Sequence, residues 1–156
     1  MMIAVEIDGQ TWKGTDGQAR FVRQAARAAL SAAGVEPRSV DLSIAITDDR
    51  RVAELNRAWR AREGATNVLA FPAPQGFGVR NGSRFVGDVV LAEGVVAREA
   101  AEQGKTVRDH AAHLIVHGVL HLLGYDHGGA MEGLEVDALK SLGIGDPYAA
   151  EKAEGT

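Results

Sequence analysis

All five histidines of the chain lie between residues 110 and 127, and it has no cysteine. His110, His113, His117 and His121 follow at intervals of three or four residues. At about 100° per residue, that spacing lines them along one side of a helix. His117 and His121 are an i, i+4 pair, so imidazoles on successive turns can meet one cation, with Zn–N near 2.0–2.1 Å. Gly124-Tyr125-Asp126-His127 follows. A left-handed glycine at 124 can reverse the chain and bring His127 back to the pair. The result is His-x3-His-x5-His, three neutral nitrogen ligands. A catalytic zinc uses three protein ligands and keeps a fourth position for water. Zinc in such a site lowers the pKa of a bound water to about 7.

Two other readings compete. The histidines could be satisfied by hydrogen bonds within a core, although three at this spacing around a helix-ending glycine favour a metal. A structural zinc would need a fourth ligand, with Asp126, His113 and His110 as candidates, but such sites usually include cysteine. His113 reads as a group behind the ligands or a core hydrogen-bonder, and His110 as a surface or partner-facing residue. In the zinc proteases a glutamate general base follows the first histidine, as H-E-x-x-H. Here that position is Gly118. A glycine in mid-helix costs roughly 1 kcal/mol relative to alanine, which suggests close approach of substrate or of another backbone segment.

These side chains must be placed by surrounding elements. Ile3, Val5 and Ile7 alternate as a short strand. Residues 14–17 read as a loop. A helix over 18–33 carries Val22, Ala25, Ala26, Ala29, Leu30 and Ala33 on one face, with Gly34 at its C-cap. Val40, Leu42, Ile44 and Ile46 alternate as a half-buried strand. Asp48 or Asp49 can cap a helix whose apolar face is Val52, Leu55 and Trp59 and which Gly64 ends. Thr66–Phe71 reads as a strand stopped by Pro72, residues 72–83 as a loop, and Phe85–Leu91 as a strand. Gly87 within that last strand signals a bulge or a close backbone approach. Helices follow over 93–103 and from about 107 to 123, the second with Thr106 and Asp109 at capping-box spacing. A last helix over 131–142 carries Leu134, Leu139 and Leu142. The expectation is one α+β domain over residues 1–156, a small mixed sheet packed with several helices.

At 156 residues and 46% hydrophobic, the chain is long enough to bury a core. No apolar run approaches the roughly 20 residues that span a bilayer, and the N-terminus has no basic n-region. A cytoplasmic protein is expected. The net charge of −4 by itself argues against nucleic-acid binding. Charge is unevenly spread, however: residues 20–62 hold nine arginines against five acids, while residues 63–156 hold seven bases against thirteen acids. A basic face on the N-terminal half and an ordinary solvated helix surface both fit that distribution.

His117-Gly-Val-Leu-His121-Leu-Leu-Gly-Tyr-Asp-His127 resembles the H-G-x-L-H-L-x-G-Y-D-H signature of the YbeY family, bacterial endoribonucleases and rRNA maturation factors. Leu55-Asn56-Arg57-Ala58-Trp59-Arg60 resembles the family's L-N-x-x-[YW]-R. Thr66-Asn67-Val68-Leu69-Ala70-Phe71-Pro72 resembles T-[DN]-V-L-S-F-P, and Gly87-Asp88-Val89 resembles G-D-I. Ala70 stands where the family usually has Ser, and the stretch after His127 is shorter than in many members. Neither change removes a candidate ligand. The resemblance implies a zincin-like α+β fold, one Zn²⁺ held by His117, His121 and His127, and cleavage of single-stranded RNA. It further implies action in 16S rRNA 3′-end maturation and ribosome quality control, in contact with the small ribosomal subunit. The family's functional arginine falls on Arg60, which with His117 forms the expected catalytic pair. Arg60 alone would read as a solvated helix arginine, but a guanidinium can bind a phosphate bidentately. His113, Asp88 and Asn67 are further candidates to orient the site. The rival functions are a zinc peptidase, a non-catalytic ribosome-assembly factor with a structural metal, and a metal-dependent hydrolase of another phosphoester.

Overall fold

The computed structural model describes residues 3–8, 16–74 and 82–149. The loop expected at 72–83 lies largely outside those residues; of the one expected at 14–17, residues 14 and 15 lie outside them, and residues 16 and 17 belong to the first helix instead. Among the described residues there are four strands, β1 (Ile3–Ile7), β2 (Val40–Thr47), β3 (Val68–Pro72) and β4 (Arg84–Ala92). The helices are α1 (Asp16–Ala32), α2 (Asp49–Arg60), α3 (Glu93–Glu102), α4 (Val107–Leu122) and α5 (Gly129–Ser141), with a short 3-10 turn at Pro37–Ser39. The sheet order is β1-β2-β4-β3. β1, β2 and β4 run parallel, and β3 pairs antiparallel with β4. The expected mixed-sheet α+β architecture is what forms.

Alternation along the strands separates two faces. Ile3, Leu42, Ile44, Ile46, Val89 and Leu91 enter the main core with α1, α4 and α5. Leu69, Val90 and Ala92 point the other way and pack with Val52 of α2. The site-bearing helix α4 is the most deeply set. Ala111, Ala112, Ile115, Val116, Val119 and Leu120 are buried on it, and it packs on α1, α3, α5, β3 and β4. Thr106 starts α4, its hydroxyl accepting from the Asp109 N–H at 3.0 Å.

Both readings of Gly87 are realised together. The β2–β4 register shifts between Asp41 and Leu42, leaving an extra residue on β4. Gly87 has φ 138°, and a Cβ there would lie 2.3 Å from the Phe71 carbonyl oxygen. Asp48 is the residue that caps α2, accepting from the Arg51 N–H at 2.8 Å. Asp49 instead reaches the start of α3, accepting from the N–H groups of Gly94 and Val95 at 2.8 and 3.1 Å.

Four expectations shift. α2 ends at Arg60, before Gly64, because Ala61 takes the left-handed position (φ 53°) and donates to Asn56 O. That conformation costs a non-glycine residue roughly 1–2 kcal/mol. Trp59 was expected on the buried face of α2, yet it is 72% exposed. β3 starts at Val68 and includes Pro72, which an edge strand tolerates because a donor missing on its open side costs no ladder hydrogen bond. α5 begins at Gly129, and its buried stripe is Met131, Glu135, Ala138 and Leu139. Leu134 and Leu142 are only half-buried against the core.

Candidate metal centre

α4 carries His117 and His121 near its C-terminal end, on the side facing β3. It comes this close to the sheet because residue 118 is glycine: a Cβ there would lie 2.7 Å from Val89 Cγ1 and 3.4 Å from Val68 Cγ2. The cause of the mid-helix glycine is thus helix-on-sheet packing. Gly124 follows the helix at φ 97°, and Tyr125 N–H donates back to Leu120 O at 3.1 Å. This turn returns His127 over the end of the helix.

The three rings converge. Centroids of His117 and His121 are 4.5 Å apart, and His127 lies 5.1 and 5.2 Å from them. One ligand atom from each falls within 4.8 Å of the other two, and no fourth His, Asp or Glu joins the group among the described residues. His117 Nε2 and His121 Nε2 are 3.0 Å apart. Two ligands at 2.0–2.1 Å in a tetrahedral shell would be about 3.3 Å apart.

The far side of each ring decides what those nitrogens offer. His121 Nδ1 is 2.8 Å from the Tyr125 carbonyl oxygen, which can only accept, so Nδ1 carries the proton. His117 Nδ1 is 3.0 Å from Glu135 Oε1. Glu135 is 1% exposed, and burial pushes its carboxyl pKa up. Hydrogen bonds from His113, His117 and Tyr148 outweigh that and hold it at about 2. An ionised carboxylate also only accepts, so His117 too is protonated on Nδ1. Both neutral rings then aim an Nε2 lone pair at one point, an arrangement that a shared cation satisfies. Burial, and then the neighbouring His117, lower the His121 pKa, favouring the neutral form that can ligate.

Glu135 also receives His113 Nε2 at 2.7 Å and the Tyr148 hydroxyl at 2.6 Å. One buried carboxylate therefore ties α5 and the segment after it to α4 behind the ligands, the arrangement that fixes ligand tautomers in metal sites. Sequence reasoning missed Glu135. The available signal was an acid at i+4 from Met131 on the inward stripe of α5, a place where unpaired acids are almost never buried. His113 is the hydrogen-bonder behind the ligands. His110, expected at the surface, is 3% exposed, because its Nε2 is held by Glu99 Oε1 at 2.9 Å. Neither provides a fourth ligand.

Arg60 reaches the site from α2. Its Nη2 donates to Ala70 O on β3, and its guanidinium carbon lies 5.5 Å from the Phe71 ring centroid. With Asn56, Arg62 and Asn67 it lines a cavity of about 750 Å³ that includes all three converging histidines. A second cavity of about 690 Å³, near Lys105 and Tyr148, shares Asn67, Val68, His117 and His127 with the first. Asn67 sits at this junction and donates from Nδ2 to Glu99 Oε1 at 3.0 Å. Asp88 does not reach the site. From Gly87 on, β4 directs its odd-numbered residues toward α4, so Asp88 points to the opposite face, where it accepts from the Ser43 hydroxyl.

Residues 6–143 match the family model described as Endoribonuclease YbeY. The chain belongs to the YbeY family. Proteins named endoribonuclease YbeY are similar to it over most of its length. The protein of Stenotrophomonas maltophilia (strain R551-3) is 51% identical over 74% of this chain and 76% of its own. That of Azorhizobium caulinodans is 43% identical over 99% of this chain and 100% of its own, and that of Paramagnetospirillum magneticum is 45% identical over 96% of both. Among solved structures, the solution structure of TM1509 from Thermotoga maritima matches with a TM-score of 0.59. It is 19% identical, over 96% of this chain and 93% of that one. That likeness speaks for the α+β fold alone.

Proposed function

We propose that this YbeY-family chain is a single zinc-dependent hydrolase domain that cleaves single-stranded RNA. Its relatives' common name, endoribonuclease YbeY, supplies the reaction class. The observation that carries the reading for this chain is the three-histidine group with no fourth protein ligand among the described residues. A three-ligand set leaves a coordination position for chemistry, whereas a structural zinc has four. Zinc is the metal assigned, because three imidazoles suit it and the chain has no thiolate. The biological setting proposed is 16S rRNA 3′-end maturation and ribosome quality control in the cytoplasm, with the small ribosomal subunit as partner.

His117, His121 and His127 would hold the ion, and when bound it supplies Lewis acidity toward a phosphodiester and lowers the pKa of a coordinated water. The chain's residues do the rest. Arg60 stands across the cavity from the histidines and donates to the non-bridging phosphate oxygens, a planar fork matched to a phosphate. Glu135 keeps His117 protonated on Nδ1, leaving Nε2 free for the ion. Cavities on both sides of His117 and His127 give a strand room to enter and leave, as internal cleavage requires. A peptidase would need a carboxylate after the first histidine. Position 118 is a glycine pressed against Val89, with no space for one.

Zinc content and cleavage of an unpaired oligoribonucleotide test this together. The expected result is one zinc per chain in the wild type and loss of both zinc and cleavage in His121→Ala. A folded, metal-stripped protein that cleaves RNA at the wild-type rate would overturn the reading.

A further inference from the structure

Trp59 is the large hydrophobic side chain left exposed among the described residues. Its exposure is not explained by its place in the helix. Val52, Asn56 and Trp59 lie at i, i+4 and i+7 of α2, on the stripe directed at the protein. Val52 is 0% exposed and Asn56 5%, but Trp59 is 72% exposed. The difference comes from where the sheet stops. Arg60, in the same last turn, reaches Ala70 O and Phe71 on β3, and β3 is an edge strand. The stripe therefore runs past the sheet and leaves the indole at its border, where no further element covers it.

This border adjoins the metal groove. Asn56 and Arg60, one turn apart on either side of Trp59, both line the cavity that contains His117, His121 and His127, as does Arg62. Arg57, Arg60 and Arg62 are exposed. None of the three makes an ion pair among the described residues, in contrast to Arg50 with Glu54 and Arg98 with Asp49. A bare indole flanked by cations without carboxylate partners, leading into the groove, has the makeup of a single-strand nucleic-acid platform: aromatic faces stack on bases while guanidinium groups follow the backbone.

We infer that Trp59 is a base-stacking residue. An unpaired RNA base lies on its indole while the adjoining phosphates pass Arg60 and Arg62 into the groove beside the three histidines. This rests on the RNA reading above. It adds a source of single-strand preference, because bases in a duplex are stacked on one another and present no face to an indole. Tryptophan and arginine also dominate protein–protein hot spots. The position of Trp59 next to Arg60, which with Arg62 lines the groove, favours RNA.

The chain's other tryptophan is Trp12, so Trp12→Phe leaves Trp59 as the sole indole reporter. Rapid mixing of this zinc-loaded protein with a short unpaired oligoribonucleotide should quench its fluorescence saturably before cleavage begins. A fully paired duplex should not. Trp59→Ala should raise the KM for the unpaired substrate by about tenfold, within the range set by one lost stack, with kcat changing far less. Trp59→Phe should recover most of that loss, and zinc content and melting temperature should match the wild type in both variants. If the wild type cleaves RNA but Trp59→Ala keeps its KM within twofold, the inference fails and the RNA reading stands. It fails equally if Trp59→Ala weakens only association with purified small subunits. If the wild type neither binds nor cleaves unpaired RNA, the functional reading falls and the inference with it.

Discussion

Replacing Glu135 with glutamine removes one charge and keeps the volume, so it isolates what the buried carboxylate does. In the folded chain its pKa is about 2, against 4.5 for an ordinary glutamate. At 1.36 kcal/mol per pKa unit, folding favours the ionised form by about 3 kcal/mol. The sign follows from the lowered folded value. The contribution is complete above the unfolded pKa near 4.5 and declines as pH falls toward 2. Glutamine cannot match it, because its NH₂ would face one of three donors: His117 Nδ1–H, His113 Nε2–H or the Tyr148 hydroxyl. For the metal-free protein, urea unfolding should therefore show Glu135→Gln less stable by about 3 kcal/mol at pH 7, narrowing to about 1 kcal/mol at pH 3. The same variant should bind zinc 10- to 100-fold more weakly, since His117 loses the group that sets its tautomer. A stability difference below 1 kcal/mol at pH 7, or one of the same size at pH 3, would refute the reasoning about the carboxylate.

The remaining predictions concern the groove and the helix behind it. Gly118→Ala should gain about 1 kcal/mol of helix propensity and lose more to the 2.7 Å contact with Val89, a net destabilisation of about 1–2 kcal/mol. Adding Val89→Ala should relieve that specific strain, which a double-mutant cycle reads as a favourable coupling. Gly87→Ala should cost at least 3 kcal/mol or abolish folding, because its Cβ would meet the Phe71 carbonyl oxygen and its φ is 138°. Soluble yield and urea midpoint measure it, and a wild-type midpoint would refute the bulge argument. Arg60→Ala should keep its zinc and lower RNA cleavage by about 100-fold, the typical loss for one donor aimed at developing charge. Arg60→Lys should restore little of this, because a point charge lacks the guanidinium fork. Equal activity of the lysine variant would remove the bidentate clamp from the mechanism.

Much of the fold was legible because its signals are local. Alternation at Val40, Leu42, Ile44 and Ile46 marks a strand with one face buried, and those four are the hydrophobic residues of β2 that are buried. Gly34 and Gly124 both adopt the positive φ expected after a helix. The boundaries that moved did so for local reasons weaker than the pattern. Ala61 accepts a strained cap and shortens α2, and an edge position lets Pro72 stay within β3. The misplaced side chains have a different cause. His110 was assigned to the surface because its own helix says nothing of Glu99, and Trp59 to the core because the helical stripe continues after the sheet has ended. Asp88 was a candidate through the Gly87-Asp88-Val89 match, but the two-residue period of β4 turns it to the other face.

The residues themselves determine the three-histidine group. His117 and His121 are one helical turn apart, Gly124 permits the reversal, and His127 follows within three residues, so covalent geometry and the helix repeat bring the imidazoles together. Tertiary structure alone decides what surrounds them: Glu135 eighteen residues beyond His117, Arg60 fifty-seven residues before it, and the exposed indole at the sheet's border. The physical reason is range. Backbone periodicity acts over a few residues and can be read from neighbours, whereas burial and hydrogen-bond partnership depend on which distant segment the packing of sheet and helices brings alongside.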